Sequence, residues 1–349
     1  MDAPLVVLDA DVLGRARTGD ETYVENLLRE LGGAADGLRV AAITRDPARL
    51  PAGVEPLTLP ARSQALRMFI RMPQLLRRVR PALTHLHYVI PPGVPGRVVL
   101  TVHDISYERS TAFVPAHDLI AMRALVPRSI RRAERVLTVS EWTKREIVDR
   151  YRVDPSNVVV TPNGVDPSYA PDGPAEGGRP YLLYVGALQP RKDPVAAVET
   201  LARLDGELRL VMVGPDRGAE ADVRSAAGRL GLLDRVELRG YVPRHALASL
   251  YRGAACLIFP SRYEGFGLPV LEAMASGTPV VAVRATSVPE VAGDAAILVE
   301  PGSADALADG VTRALADRAR FGNAGVARAA AFTWAETARR TLAVYRELL

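Results

Sequence analysis

Two glutamates, Glu264 and Glu272, flank a glycine-bearing loop that opens a short apolar segment. The run Cys256 to Phe259 before it reads as a buried parallel strand. Pro269 then stands where a first helical turn tolerates proline, and Val270 to Ser276 reads as a short helix closed by Gly277. Pro279 to Val283 opens the next strand, so about 25 residues make one βαβ unit. Backbone N–H groups at Phe266, Gly267 and Leu268 would point out of the helix N-terminus, where donors and dipole stabilise a phosphate. Two carboxylates cannot be charge partners for that phosphate. They suit the hydroxyl groups of a sugar or ribose attached to it. The plainer alternative is a tight turn carrying two solvated glutamates.

Two further positions carry charge or titrate where a parallel sheet would use them. Arg191 and Lys192 follow the strand Tyr181 to Val185 in the loop GALQPRKD, and the chain has only one other lysine, Lys144, among 44 basic residues. Where arginine is the default cation, a lysine in a strand-end loop points to a compact charge with a task. His103 and Asp104 stand at the carboxyl end of the strand Val98 to Val102, where open parallel sheets bind ligands. His85 and His87 lie in LTHLHYVIPP, and His87 with Tyr88 are placed to line a second, acceptor side. No H-E-x-x-H or C-x-x-C spacing occurs, so no protein-bound metal is expected.

The stretch FPSRYEGFGLPVLEAMASGTPVVA resembles the E-x7-E signature of retaining glycosyltransferases of the group 1, or family 4, class, without a gap. The resemblance implies that Glu264 contacts the donor sugar and Glu272 the donor ribose. It implies that Arg191 and Lys192, the family's P-R-K pair, neutralise the donor diphosphate. His103 matches a T-x-HD position that lies against the donor sugar, with Asp104, His87 and Tyr88 on the acceptor side. Gly265, Phe266, Gly267 and Leu268 would hold phosphate, and Gly186, Gly214, Tyr241 and Val242, at the ends of other strands, would line the donor. The family's glycine-rich loop after the first strand is matched to RARTGDETYVENL, whose single glycine is Gly19. The Asn163-Gly164 turn in NGVD matches the family's hinge-proximal motif.

Composition sets the outer bounds. The chain of 349 residues, 48% hydrophobic and 24% charged, is long enough for two ordinary globular domains. Its single cysteine, Cys256, sits in an apolar run as a core residue, consistent with a reducing, cytoplasmic setting. The acidic residues in PLVVLDADV come too early for a signal peptide, and no apolar run reaches the roughly 18 residues of a membrane span. Residues 1–170 hold 23 Lys+Arg against 19 Asp+Glu, an excess equal to the whole-chain charge of +4. Six arginines (62, 67, 71, 77, 78 and 80) occur with no acid between them, too sparse an excess and without the motif of a nucleic-acid binder. They flank Leu66, Phe69 and Ile70 on a helix read over Ser63 to Val79 and broken or kinked at Pro73. Such a face suits peripheral contact with an anionic membrane, or else is a solvated helix surface.

The elements that must position these residues alternate throughout. Strands are read at Leu5–Leu8, Val40–Thr44, Arg135–Ser140 and Val158–Thr161 in the first half, with helices at Thr22–Leu31, Asp118–Ala133 and from Glu141. Asp20 or Glu21 is expected to cap the first of these helices. Ala170 to Pro180, rich in proline and glycine, reads as an interdomain linker. The second half restarts with strands at Leu208–Val213 and Val236–Leu238 and a helix at Ala219–Leu230. Phe332 to Leu349 reads as an amphipathic helix capped by Thr333, with Trp334, Leu342 and Tyr345 inward. The expectation is an α/β protein of the GT-B type, two Rossmann-like parallel-sheet domains facing each other across a cleft. The domains are set at 1–168 (acceptor side) and 169–331 (nucleotide sugar), with 332–349 crossing back to the first.

The activity this implies is transfer of a hexose from a nucleotide diphosphate sugar to an acceptor hydroxyl with retained configuration. GDP-mannose is the favoured donor and a UDP-sugar the alternative, with no cofactor. The acceptor is a carbohydrate, a lipid-linked sugar or a small metabolite. The family implies a front-face reaction in which the departing diphosphate helps to deprotonate the acceptor. Two other classes share the fold: a nucleotide-sugar 2-epimerase, and a silent partner subunit. The first lacks a reason for this E-x7-E stretch, and the second would have lost Arg191, Lys192 or Glu264.

Overall fold

A computed structural model describes residues 3–15, 18–34, 37–60, 63–109, 116–204 and 206–349. The chain divides into two compact units, residues 1–164 with 333–349, and residues 165–332.

In the first unit the strands are β1 (Leu5–Asp9), β2 (Arg39–Thr44), β3 (Glu55–Thr58), β4 (Leu83–His87), β5 (Arg97–Thr101), β6 (Arg135–Thr138) and β7 (Val158–Val160). They form one parallel sheet in the order β3-β2-β1-β4-β5-β6-β7. Runs such as RVVLT bury nearly every residue because helices cover both faces. One core layer joins Val7, Ile43, Leu86, Leu100 and Val136 from the strands to Leu76, Val126 and Ile147 from the helices. The helix Trp334–Leu348 belongs to this unit. Thr333 caps it, and Trp334, Leu342 and Tyr345 are buried, as its periodicity demands.

Several first-unit elements differ from their sequence reading, β4 among them, which was not read as a strand. The helix expected from Thr22 runs Thr18–Ala34, so Gly19 lies in its first helical turn and not in a loop. Asp20 and Glu21 then act in that turn through the helix dipole instead of capping from outside. The edge strand β3 went unread because Glu55 and Pro56 interrupt its apolar pattern. The helix expected over Ser63–Val79 is continuous, but Arg67–Arg71 is a π-helical stretch that ends two residues before Pro73. Proline removes a helical N–H, and the wider turn accommodates that loss. Arg62 lies outside the described residues.

The second unit has β8 (Tyr181–Val185), β9 (Arg209–Val213), β10 (Val236–Leu238), β11 (Cys256–Phe259), β12 (Val280–Val283) and β13 (Ile297–Val299). Their order, β10-β9-β8-β11-β12-β13, is again fully parallel. The stretch Ala170–Pro180 is packed coil of this unit. Arg252 donates to the carbonyls of Ser168, Ala170 and Pro174, and the Glu176 N–H to Ser249. In both sheets the strand order reverses once, between β1 and β4 and between β8 and β11. Outside the carboxyl ends at such a reversal, adjacent loops diverge and leave a crevice.

Candidate active site

At the β8–β11 reversal the structure brings together the residues singled out in the second half. Lys192 Nζ donates to Glu264 Oε1 at 2.7 Å, and Arg191 lies 3.8 Å from Oε2. Arg191 also donates to the Tyr263 carbonyl at 2.6 Å, and Arg262 N–H to the Arg191 carbonyl at 3.0 Å. The loops after β8 and β11 are thus zipped into one surface. Gly186 makes room for it, since a Cβ there would meet Lys192 Cδ at 2.9 Å. Glu264 is 7% exposed. Burial works to raise its pKa, but Lys192 and Arg191 outweigh that and hold it below the usual carboxylate value. The cluster is an ionised carboxylate between two cations, with one net positive charge.

The loop then enters the helix Leu268–Ala275 through Gly267 in the left-handed region at φ 101°. A Cβ at that angle is strained, so glycine is the residue that lets the chain turn into the helix. Among the described residues the N–H groups of Phe266, Gly267 and Leu268 have no acceptor. Glu272 sits one turn in, 9% exposed, and Tyr251 donates to its Oε2 at 2.8 Å. Burial pushes Glu272 up to about 7, against the pull of that hydrogen bond. It is not the solvated glutamate that the plainer reading supposed. After β9, the sheet neighbour of β8, a Cβ at Gly214 would lie 2.1 Å from the Gly186 carbonyl oxygen. Gly214 N–H donates to Gly240, and Tyr241 that follows is 66% exposed. Val242 is half-buried.

The first unit gathers the histidines at its own reversal, around the ends of β4 and β5. His87 and His103 stack with ring centroids 5.7 Å apart, and His85 stacks on His87 at 5.4 Å. Tyr23 packs edge-on against His103 at 4.6 Å, and Tyr88, at φ 57°, lies 5.8 Å from it. His85 is spoken for: its ring nitrogens reach Tyr345 and Thr101, each at 2.6 Å. Both ring nitrogens of His87 and Nε2 of His103 are buried without a hydrogen-bond partner among the described residues, Asp20 being 3.9 Å from the latter. Burial lowers His87 and His103 to about 4, so both are neutral near pH 7. Asp104 caps the turn Ser106–Arg109, accepting from Ser106 N–H at 3.0 Å and its hydroxyl at 2.9 Å. A Cβ at Gly19, on the helix Thr18–Ala34, would meet nothing within 4 Å.

A family model for glycosyl transferases group 1 matches residues 167–328, and one for glycosyltransferase family 4 matches residues 17–169. O-antigen chain mannosyltransferase B of Escherichia coli is 32% identical over 269 residues, which are 72% of this chain and 71% of that protein. The chain belongs to the group 1 glycosyltransferases. A D-inositol 3-phosphate glycosyltransferase of Acidothermus cellulolyticus is 31% identical over 284 residues, 74% of this chain and 63% of that relative. The crystal structure of Anabaena HepE in complex with UDP-glucose covers 99% of this chain and is itself covered fully, with a TM-score of 0.77 at 18% identity. The two parallel sheets of this glycosyltransferase are those of the GT-B fold.

Sequence reasoning missed several partners in this glycosyltransferase. Tyr251, which binds Glu272, lies on the helix Arg244–Gly253 and reads as an ordinary apolar-face residue. Tyr23 reads the same way on its helix. Thr286 and Ser287, which hold the backbone of Glu264, follow β12, the sheet neighbour of β11. Their position at a strand's carboxyl end was the available signal.

Proposed function

We propose that this glycosyltransferase moves a hexose from a nucleotide diphosphate sugar to an acceptor hydroxyl with retention of configuration. The observation that carries the reading is the pair Arg191 and Lys192 closed around Glu264 at the β8–β11 reversal. Breaking the bond to the anomeric carbon leaves charge on the departing diphosphate. Two fixed cations and the N–H groups of Phe266 to Leu268 at a helix N-terminus act most strongly on that charge. A diphosphate so held serves as the base that takes the acceptor's proton as the new bond forms on the same face. Glu264, pinned by both cations, is a poor nucleophile and serves as an acceptor for donor-sugar hydroxyls. Glu272 takes the ribose hydroxyls, with Gly186, Gly214, Tyr241 and Val242 lining the donor.

In the first unit, neutral His103 faces the donor sugar, and His87, Tyr88 and Asp104 belong to the acceptor side. Gly19 offers close backbone approach at the N-terminus of the helix Thr18–Ala34. GDP-mannose is the first choice of donor, supported by the E. coli mannosyltransferase relative. A UDP-sugar is the second, supported by the HepE complex. The acceptor is a carbohydrate, a lipid-linked sugar or a small metabolite. Among the described residues no helix is long and apolar enough to cross a membrane. We place the protein in the cytoplasm, in peripheral contact with an anionic membrane through the basic helix of the first unit.

The test is a thermal-shift panel of GDP-, UDP- and ADP-sugars, followed by nucleoside diphosphate release with and without acceptor alcohols. Acceptor-dependent release with an α-linked product from an α-linked donor is expected. A 2-epimerised sugar without transfer, or no binding to any nucleotide sugar, overturns the reading.

A further inference from the structure

Glu264 is held at its backbone as firmly as at its carboxylate. Thr286 Oγ1 accepts from the Glu264 N–H at 2.9 Å and donates to the Glu264 carbonyl at 2.9 Å. A single hydroxyl can do both, having one proton and two lone pairs. Ser287 Oγ donates to the same carbonyl at 2.9 Å. Thr286 has a φ of 50°, which a β-branched residue rarely adopts. Strain of that kind persists only where the surroundings over-determine it, and it clusters at functional sites. Here the loop after β12 reaches over its neighbour β11 and fixes one residue of the next loop, the one whose carboxylate meets Lys192 and Arg191.

We propose that Thr286 is a positioning residue for transfer, setting the Glu264 carboxylate between Lys192 and Arg191 through its hydroxyl. It acts through Glu264 and touches no substrate. The inference rests on the reading of Glu264 as a group acting on the donor sugar. Glycine at 286 would relieve the backbone and release Glu264. Valine keeps the shape and removes only the hydroxyl, whereas serine keeps the hydroxyl.

The experiment compares Thr286→Val, Thr286→Ser and Thr286→Gly with Glu264→Gln and with the double variant Thr286→Val/Glu264→Gln. Thr286→Val is expected to lower kcat about tenfold or more, the scale of a catalytic group displaced by a fraction of an ångström. Nucleoside diphosphate affinity stays within about threefold, because the ribose side is untouched, and Thr286→Ser restores turnover. Thr286→Gly follows the valine variant in kcat while its thermal midpoint does not fall, and it carries the comparison if the valine variant does not fold. In the Glu264→Gln background Thr286→Val costs nothing further, since the two act as a unit. An additive loss shows a merely structural role and overturns the proposal. Impaired Glu264→Gln with unimpaired Thr286→Val or Thr286→Gly also overturns it. Normal turnover by Glu264→Gln overturns the underlying reading instead.

Discussion

In the proposed donor site, charge at single residues is what the prediction turns on. Lys192 is 14% exposed at its side chain and already paired, so its ammonium is fixed before any diphosphate arrives. Preorganised donors of this kind are worth about 10²-fold or more in kcat when removed. Lys192→Ala is therefore expected to lower kcat by at least about 10²-fold while the protein stays folded; near-normal turnover would reject the role. Glu272 makes a second, pH-dependent prediction. Its pKa is raised to about 7, so the folded state binds a proton that the unfolded chain has released. Its contribution to stability is fully present below the ordinary glutamate pKa and is lost as pH rises through about 7. In the role proposed for Glu272, ribose binding would run the other way, because only the ionised carboxylate accepts from two hydroxyls. Between pH 8 and pH 6 nucleoside diphosphate affinity should weaken about tenfold in the wild type and stay flat in Glu272→Gln. Isothermal titration across that range checks it, and an unchanged slope in the variant would sink the assignment.

Elements explain both what the sequence disclosed and what it hid. Buried parallel strands are short unbroken apolar runs, so CLIF and VVAV were legible, as was the turn through Gly267 into the helix between them. The pairing of loops was not legible, because Lys192 meets Glu264 across 72 positions and Thr286 meets it across 22. Arg67 is the clearest failure. Periodicity set it among surface arginines, yet it is fully buried, paired with Asp9 and 3.1 Å from Asp11, on the first residue of the π-helical stretch. A π turn holds an extra residue and so rotates side chains away from the face that a 3.6 period assigns. Arg45 and Arg15 also hold Asp11, at 2.5 and 2.8 Å, but Asp9 depends on Arg67 far more. Removing one member of a buried pair costs about 3–5 kcal/mol. Arg67→Met should lower unfolding free energy by about that much in a denaturant titration, with Asp9→Asn restoring most of it. A loss under about 1 kcal/mol would show that the network contributes little.

At the scale of the whole molecule the charge excess of residues 1–170 meets a surface that the fold leaves uncovered. Leu66, Phe69 and Ile70 are 38%, 39% and 50% exposed on the helix that buries Met72, Leu75 and Leu76 on its other side. Four arginines of that segment, Arg71, Arg77, Arg78 and Arg80, are exposed. The set is smaller than the sequence suggested, since Arg67 is committed to Asp9 and Arg62 lies outside the described residues. Each cation near an anionic leaflet contributes on the order of 1 kcal/mol, so four give about 4 kcal/mol, enough for reversible attachment. Inserting Phe69 and Ile70 among acyl chains adds to it, whereas a purely solvated face would gain nothing from lipid. Co-sedimentation with vesicles of phosphatidylglycerol and phosphatidylcholine separates the two. Binding is expected at low salt, fading over a few hundred millimolar as charges are screened, and absent from pure phosphatidylcholine. Arg→Ser at 71, 77 and 78 together should abolish it while leaving transfer to a soluble acceptor unchanged. Binding that persists in this triple variant would place the lipid contact elsewhere, and no binding at low salt would assign the enzyme a soluble acceptor.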